Sequence, residues 1–106
     1  MLFRSPVGIE VSFTCNNGIT TPGQSIYVVG DSAELGNWTV ASSAQQLSPT
    51  AYPTWTGTLT LPVNSTVKWK CVVANESSLA ISRWQGGIDN QVVTGSSGTA
   101  SSSGRF

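Results

Sequence analysis

Histidine does not occur among the 106 residues, and cysteine occurs only twice. Serine–histidine and cysteine–histidine nucleophile pairs are therefore unavailable, and two cysteines cannot hold a metal by themselves. No metal or other cofactor is expected. Charge is scarce as well: 9% of residues are Asp, Glu, Lys or Arg, five basic against five acidic, where ordinary soluble chains carry roughly 25%. Without a basic stripe there is no counterion release to drive nucleic-acid binding, and nothing to hold an anionic membrane surface. A ligand of this chain is expected to be neutral. No apolar run approaches the ~20 residues that cross a bilayer. Met1 to Pro6 lacks the cationic and long apolar regions of a secretory signal, and Met1 to Ser5 reads as a foreign extension on an excised domain.

Acids are equally few. Only Glu10, Asp31, Glu34, Glu76 and Asp89 could do acid–base work. Asp31 and Glu34 share a loop, but Gly30, Ser32, Ala33 and Gly36 offer nothing apolar enough to push one carboxyl pKa above the other. Solvated loop carboxylates are the expectation, and no residue is expected to be catalytic.

What the chain does have is a series of short β-branched and aromatic runs separated by Gly, Pro and Asn. They are Glu10 to Thr14, Ser25 to Gly30, Gln45 to Ser48, Trp55 to Leu61, Val67 to Ala74 and Ser82 to Trp84, with a short run at Gln91 to Thr94. Strands at this spacing predict an all-β sandwich or open barrel in a single domain with an ordered core from about residue 8 to 94. Residues 95 to 104 carry nothing larger than Thr, so this tail is expected to be mobile or weakly paired. By strand parity Val11, Phe13 and Cys15 share one face, as do Val67, Trp69 and Cys71. Both thiols then point into the core, as a disulfide or as two buried free thiols; parity fixes facing and not separation.

Four tryptophans are the positive signal. Trp69 alternates with Lys68 and Lys70 beside Val67 and reads as core. Trp38 and Trp84 lie in turn-rich surroundings of Gly, Asn, Thr and Gln, where burial is harder to arrange, and the pair favours a binding face. A flat indole stacks on the C–H face of a sugar while amides and ammonium groups bond the hydroxyl edge. Two indoles each covering roughly 100 Å² give a gross gain of about 5 kcal/mol, and a net micromolar to millimolar affinity after ordering costs and edge hydrogen bonds. An immunoglobulin-like domain docking its aromatics on another protein is the second reading, and a small glycosidase is a distant third.

At these residues a family likeness emerges. Ile26-Tyr27-Val28-Val29-Gly30, Glu34-Leu35-Gly36-Asn37-Trp38, Leu47-Ser48-Pro49, Tyr52-Pro53-Thr54-Trp55, Leu59-Thr60-Leu61-Pro62 and Val67-Lys68-Trp69-Lys70 resemble the starch-binding domains of carbohydrate-binding module family 20. The likeness runs from about Glu10 to Val93. It is greatest with the C-terminal modules of bacterial maltooligosaccharide-forming amylases, especially at Trp84-Gln85-Gly86-Gly87.

The resemblance implies a noncatalytic, immunoglobulin-like β-sandwich or open-sided antiparallel barrel of about seven or eight strands with two starch sites. It assigns Trp38, Lys70, Trp84 and Gln85 to the first site, with Asn90 or its neighbour Asp89 at the family's asparagine position. Gln85 stands where some members have glutamate, and keeps an acceptor while adding a donor. The second site matches Tyr52 and the adjoining Trp55, although Trp55 opens a strand and also reads as packing, and Pro22 stands where many members have a stacking Tyr. The polar end, Ser96 to Phe106, departs from the recognisable last strand of the family. The implied partners are starch, amylose, maltooligosaccharides and cyclodextrins, together with the catalytic domain of a parent amylase in a secreted enzyme. The sequons at Asn37, Asn64 and Asn75 would mark glycan sites in a eukaryotic secreted protein and carry no meaning in a bacterial one, and a glycan on Asn37 would crowd Trp38.

Overall fold

A computed structural model describes residues 8–106, so the expectations for Met1 to Pro6 lie outside the described residues. Among the described residues eight strands form two sheets: β1 (Gly8–Asn16), β2 (Gln24–Gly30), β3 (Ser48–Ala51), β4 (Thr54–Pro62), β5 (Thr66–Asn75), β6 (Ile81–Trp84), β7 (Asn90–Val93) and β8 (Thr99–Arg105). One sheet runs β3-β4-β1-β8; in the other, β5 pairs with β2 along one edge and with β6 and β7 along the other. The all-β sandwich is as expected.

Alternation in β1 buries Ile9, Val11, Phe13 and Cys15 and turns Glu10 and Ser12 outward. From the opposite sheet Val67, Trp69, Cys71 and Val73 close on them, with Phe13 and Trp69 edge to face at 4.8 Å. Of the two possibilities for the thiols, the disulfide is the one formed: Cys15–Cys71 joins the sheets across a sequence separation of 56. Closing a loop of that length stabilises the fold by about 4 kcal/mol in the chain-entropy account.

Two expectations fail. Gln45 to Leu47 is not strand; Gln45 ends a single 3₁₀ turn, Ser43–Gln45, and β3 starts at Ser48. The Gln45 side chain is fully buried, accepting from the Ala41 and Ser42 amides and donating to the Val28 and Thr39 carbonyls. This ties the loop after β2 to the strand itself.

The polar tail is not loosely attached either. Thr99–Arg105 is strand β8, parallel to β1 from Glu10 opposite Thr99 to Asn16 opposite Arg105. Its small residues are a requirement of the space. The Trp69 indole N–H donates to Ser102 Oγ at 2.9 Å, and a Cβ on Gly104 would stand 2.5 Å from Asn90 Nδ2 and 3.0 Å from Cys71 Sγ. Large partners already fill the interior, so β8 contributes backbone.

Candidate functional site

Residues directly opposite across an antiparallel ladder point to the same side. Val29 faces Lys70, Tyr27 faces Val72, and Val72 faces Trp84. Lys70 and Trp84 therefore rise from one face of the second sheet, the one turned away from the disulfide core. Tyr27, Val29, Val40, Val72 and Ala74 form a second apolar cluster on that face, and Trp38 packs on it from the loop after β2. Register and packing thus place Trp38, Lys70 and Trp84 on one face.

The loop that delivers Trp38 is tightly determined. Ala33–Leu35 makes one 3₁₀ turn that buries Leu35, and Gly36, Asn37 and Trp38 then follow with φ of 70°, 49° and 71°. Left-handed backbone costs a residue with a Cβ about 1–2 kcal/mol, and for a bulky aromatic it is an outlier of the kind that gathers at functional sites. Hydrogen bonds hold it there: Trp38 N–H to Gly30 O at 2.9 Å, Asn37 N–H to Ser32 O at 3.0 Å, and the Thr39 hydroxyl to Gly36 O at 2.7 Å. Trp38 is half-buried. Trp84, at the end of β6, is 45% exposed.

Lys70 serves the segment between β6 and β7. Its ammonium donates to Gly87 O at 2.6 Å and Gln85 O at 3.2 Å, and stands 3.9 Å from the Asp89 carboxylate. Asp89 is on the exposed rim. Gln85 and Asn90 lie beneath. Gln85 is buried, with Oε1 accepting from the Cys71 amide at 2.8 Å, and its amide pairs reciprocally with that of Asn90. Asn90 opposes Trp69 and so belongs to the core side of the ladder. Of the six residues expected in the first site, three display themselves on one face, one borders it, and two support it from below.

The second pair separates more sharply. Tyr52 is 48% exposed and its hydroxyl accepts from the Thr20 amide, whereas Trp55 is 2% exposed with its indole N–H given to Gly18 O at 2.8 Å. Its two faces are therefore not free for stacking, as its position at the start of a strand suggested. The two rings meet edge to face at 6.1 Å and border an open groove of about 410 Å³, whose walls include Thr20, Pro22, Gln46 and Glu76. A hydrogen-bond relay crosses it from Gln46 Nε2 to Ser25 Oγ to Glu76 Oε2. Sequence reasoning missed this relay, because Ser25, Gln46 and Glu76 converge from three segments and share no spacing. Tyr27, under the first site, has its phenol pKa raised, by burial first and by the Glu76 charge second. Among the described residues no cluster of three metal-ligating side chains occurs.

This geometry coincides with a family match. A family model described as a starch binding domain matches residues 8–103. The glucan 1,4-alpha-maltotetraohydrolase of Roseateles saccharophilus is 42% identical over 99 residues, 92% of this chain and 18% of that protein. The cyclomaltodextrin glucanotransferase of Klebsiella oxytoca is 42% identical over 104 residues, 97% of this chain and 15% of that protein. The chain thus spans less than a fifth of the length of these curated relatives. Among solved structures, the family 20 CBM of the maltotetraose-forming amylase from Pseudomonas saccharophila STB07 superposes with a TM-score of 0.79 at 40% identity, covering 92% of this chain and 100% of that one.

Proposed function

We propose, from the premise that this chain belongs to the starch-binding domain family, family 20 of the noncatalytic carbohydrate-binding modules, that it holds α-1,4-glucan on the face carrying Trp38 and Trp84. The observation that carries this reading is the convergence of two accessible indoles and one ammonium on a single sheet face of a chain with no net charge. The indoles stack on successive glucose rings, set at an angle because neighbouring rings of an amylose helix are rotated. Lys70 fixes the loop beside them, with Asp89 at the hydroxyl edge. Gln85 and Asn90 act from beneath, by shaping that loop. At the other end of β2, Tyr52 offers a second, weaker platform over the groove, and Trp55 supports it.

The module itself does no chemistry. Its contribution to an attached secreted amylolytic enzyme is local concentration: a tethered catalytic domain meets glucan chains at an effective concentration set by the linker. Starch, amylose, maltooligosaccharides and cyclodextrins are the ligands this reading names; flat cellulose chains fit the angled indoles poorly.

Calorimetric titration with β-cyclodextrin tests it, on the parent chain and on Trp38→Ala, Trp84→Ala and Tyr52→Ala. Both tryptophan variants are expected to lose at least tenfold in affinity, each having given up roughly 100 Å² of apolar contact, and Tyr52→Ala less. Folded tryptophan variants that bind like the parent would overturn the assignment of the first site.

A further inference from the structure

Glycine is needed where φ is left-handed or where a Cβ would strike a neighbour. Nine of the eleven glycines have one of these reasons; Gly95 meets only an ordinary van der Waals contact, and Gly86 alone has neither a left-handed φ nor any atom within 4 Å of where its Cβ would stand. Its bareness serves nothing inside the chain. Gly86 follows Trp84 by two residues, its neighbour Gly87 is also open above, with φ of 83°, and both are exposed. Next comes Ile88, 90% exposed and the most exposed of the large hydrophobic residues among those described. This stretch is not free to fold away, because the Lys70 ammonium holds the carbonyls of Gln85 and Gly87.

We propose that Gly86 and Gly87 form a bare backbone saddle across which the glucan passes, and that Ile88 receives a further glucose ring beyond Trp84. The inference rests on the glucan-binding reading of this face and extends it from two sugar contacts to three. An exposed isoleucine is otherwise solvated at a loss, and a saddle without side chains lets a pyranose approach peptide groups closely. The site would then discriminate by chain length: maltose covers the indoles and not Ile88, whereas maltotetraose and β-cyclodextrin reach it.

The test compares Gly86→Ala, Ile88→Ser and Trp84→Ala with the parent chain, using calorimetry for β-cyclodextrin and NMR titration for maltose and maltotetraose. Gly86→Ala has room for its methyl group and should unfold at or slightly above the parent's urea concentration. It should nevertheless bind β-cyclodextrin about tenfold more weakly, the low end of what a misplaced methyl does at a packed contact. Ile88→Ser should weaken maltotetraose about fivefold, what covering roughly 40 Å² of apolar surface is worth, and leave maltose unchanged. If the parent binds and Trp84→Ala does not, yet Gly86→Ala and Ile88→Ser match the parent, the saddle is wrong and the two-indole site stands. If Ile88→Ser weakens maltose and maltotetraose alike, the third contact is wrong. A parent chain that binds none of the three sugars overturns both readings.

Discussion

Gln85 and Asn90 hold each other by both amides, Gln85 Nε2 to Asn90 Oδ1 at 2.9 Å and Asn90 Nδ2 to Gln85 Oε1 at 2.8 Å. The pair lies between the disulfide and the loop that follows the exposed Trp84, and the missing Cβ of Gly104 leaves room for it. One strand of the first sheet therefore shapes, on the second, the edge proposed to bind glucan.

Gly104→Ala would place a methyl carbon 2.5 Å from Asn90 Nδ2 and 2.7 Å from Gln85 Oε1. Overpacking of this kind destabilises by about 1–3 kcal/mol, and relief by separating the two amides would also move the loop. Urea unfolding should report the loss and β-cyclodextrin titration a weaker complex. Ser103→Ala, at an exposed position of the same strand, should change neither; equal effects at both positions would remove Gly104 from this role.

The tail shows where reading the sequence succeeds and where it stops. Strand parity placed Val11, Phe13, Cys15, Val67, Trp69 and Cys71 in the core, because each strand there carries its own alternation of large apolar and polar residues. No such signal exists in Thr99–Arg105, whose place is set by Trp69 and Asn90 on other strands and by Gln85 between β6 and β7. A sequence pattern reports what a strand brings to a core, not what the core has already filled. For the same reason Gln85 looked like a ligand contact: its donor and acceptor are visible in the sequence, but their use by the Cys71 amide and by Asn90 is not. Trp38 and Trp84 were legible as a pair because turn residues around an indole make burial difficult. That they share a face follows only from the register of β5 with β2 and β6 together with the packing of Trp38 on the second apolar cluster.

Lys70 is expected to act on the loop before it acts on a ligand. Lys70→Ala removes a charged donor from the Gln85 and Gly87 carbonyls, and should lower β-cyclodextrin affinity by about 1–2 kcal/mol, the size of a hydrogen bond to a charged group. Hydrogen exchange at residues 86–89 should accelerate even with no sugar present. Lost affinity with unchanged exchange would mean that Lys70 touches the sugar directly and does not organise the loop.

Tyr27 gives the fold an alkaline limit. Its phenol keeps its proton to higher pH in the folded state, through burial and then the Glu76 charge, while in the unfolded chain it ionises near the ordinary value of about 10. Above that pH the native state binds more protons than the unfolded one, so raising the pH favours unfolding; below it both states are protonated and the contribution is flat. Urea midpoints measured from pH 8 to 11 should fall above pH 10. Tyr27→Phe should show a shallower fall, and an unchanged slope would exclude Tyr27 as its source.

The backbone at Trp38 separates stability from binding. At an ordinary exposed position alanine is more stable than glycine, because glycine loses more freedom on folding. With φ at 71° the order should reverse, since a Cβ in left-handed backbone costs about 1–2 kcal/mol. Trp38→Gly should therefore unfold at higher urea concentration than Trp38→Ala, by about 1 kcal/mol, while both bind β-cyclodextrin equally poorly because both lack the indole. Strain retained at a position where glycine would relieve it has to be offset by something the indole alone supplies. If Trp38→Ala is as stable as Trp38→Gly, the loop is unstrained and that inference from backbone to binding fails.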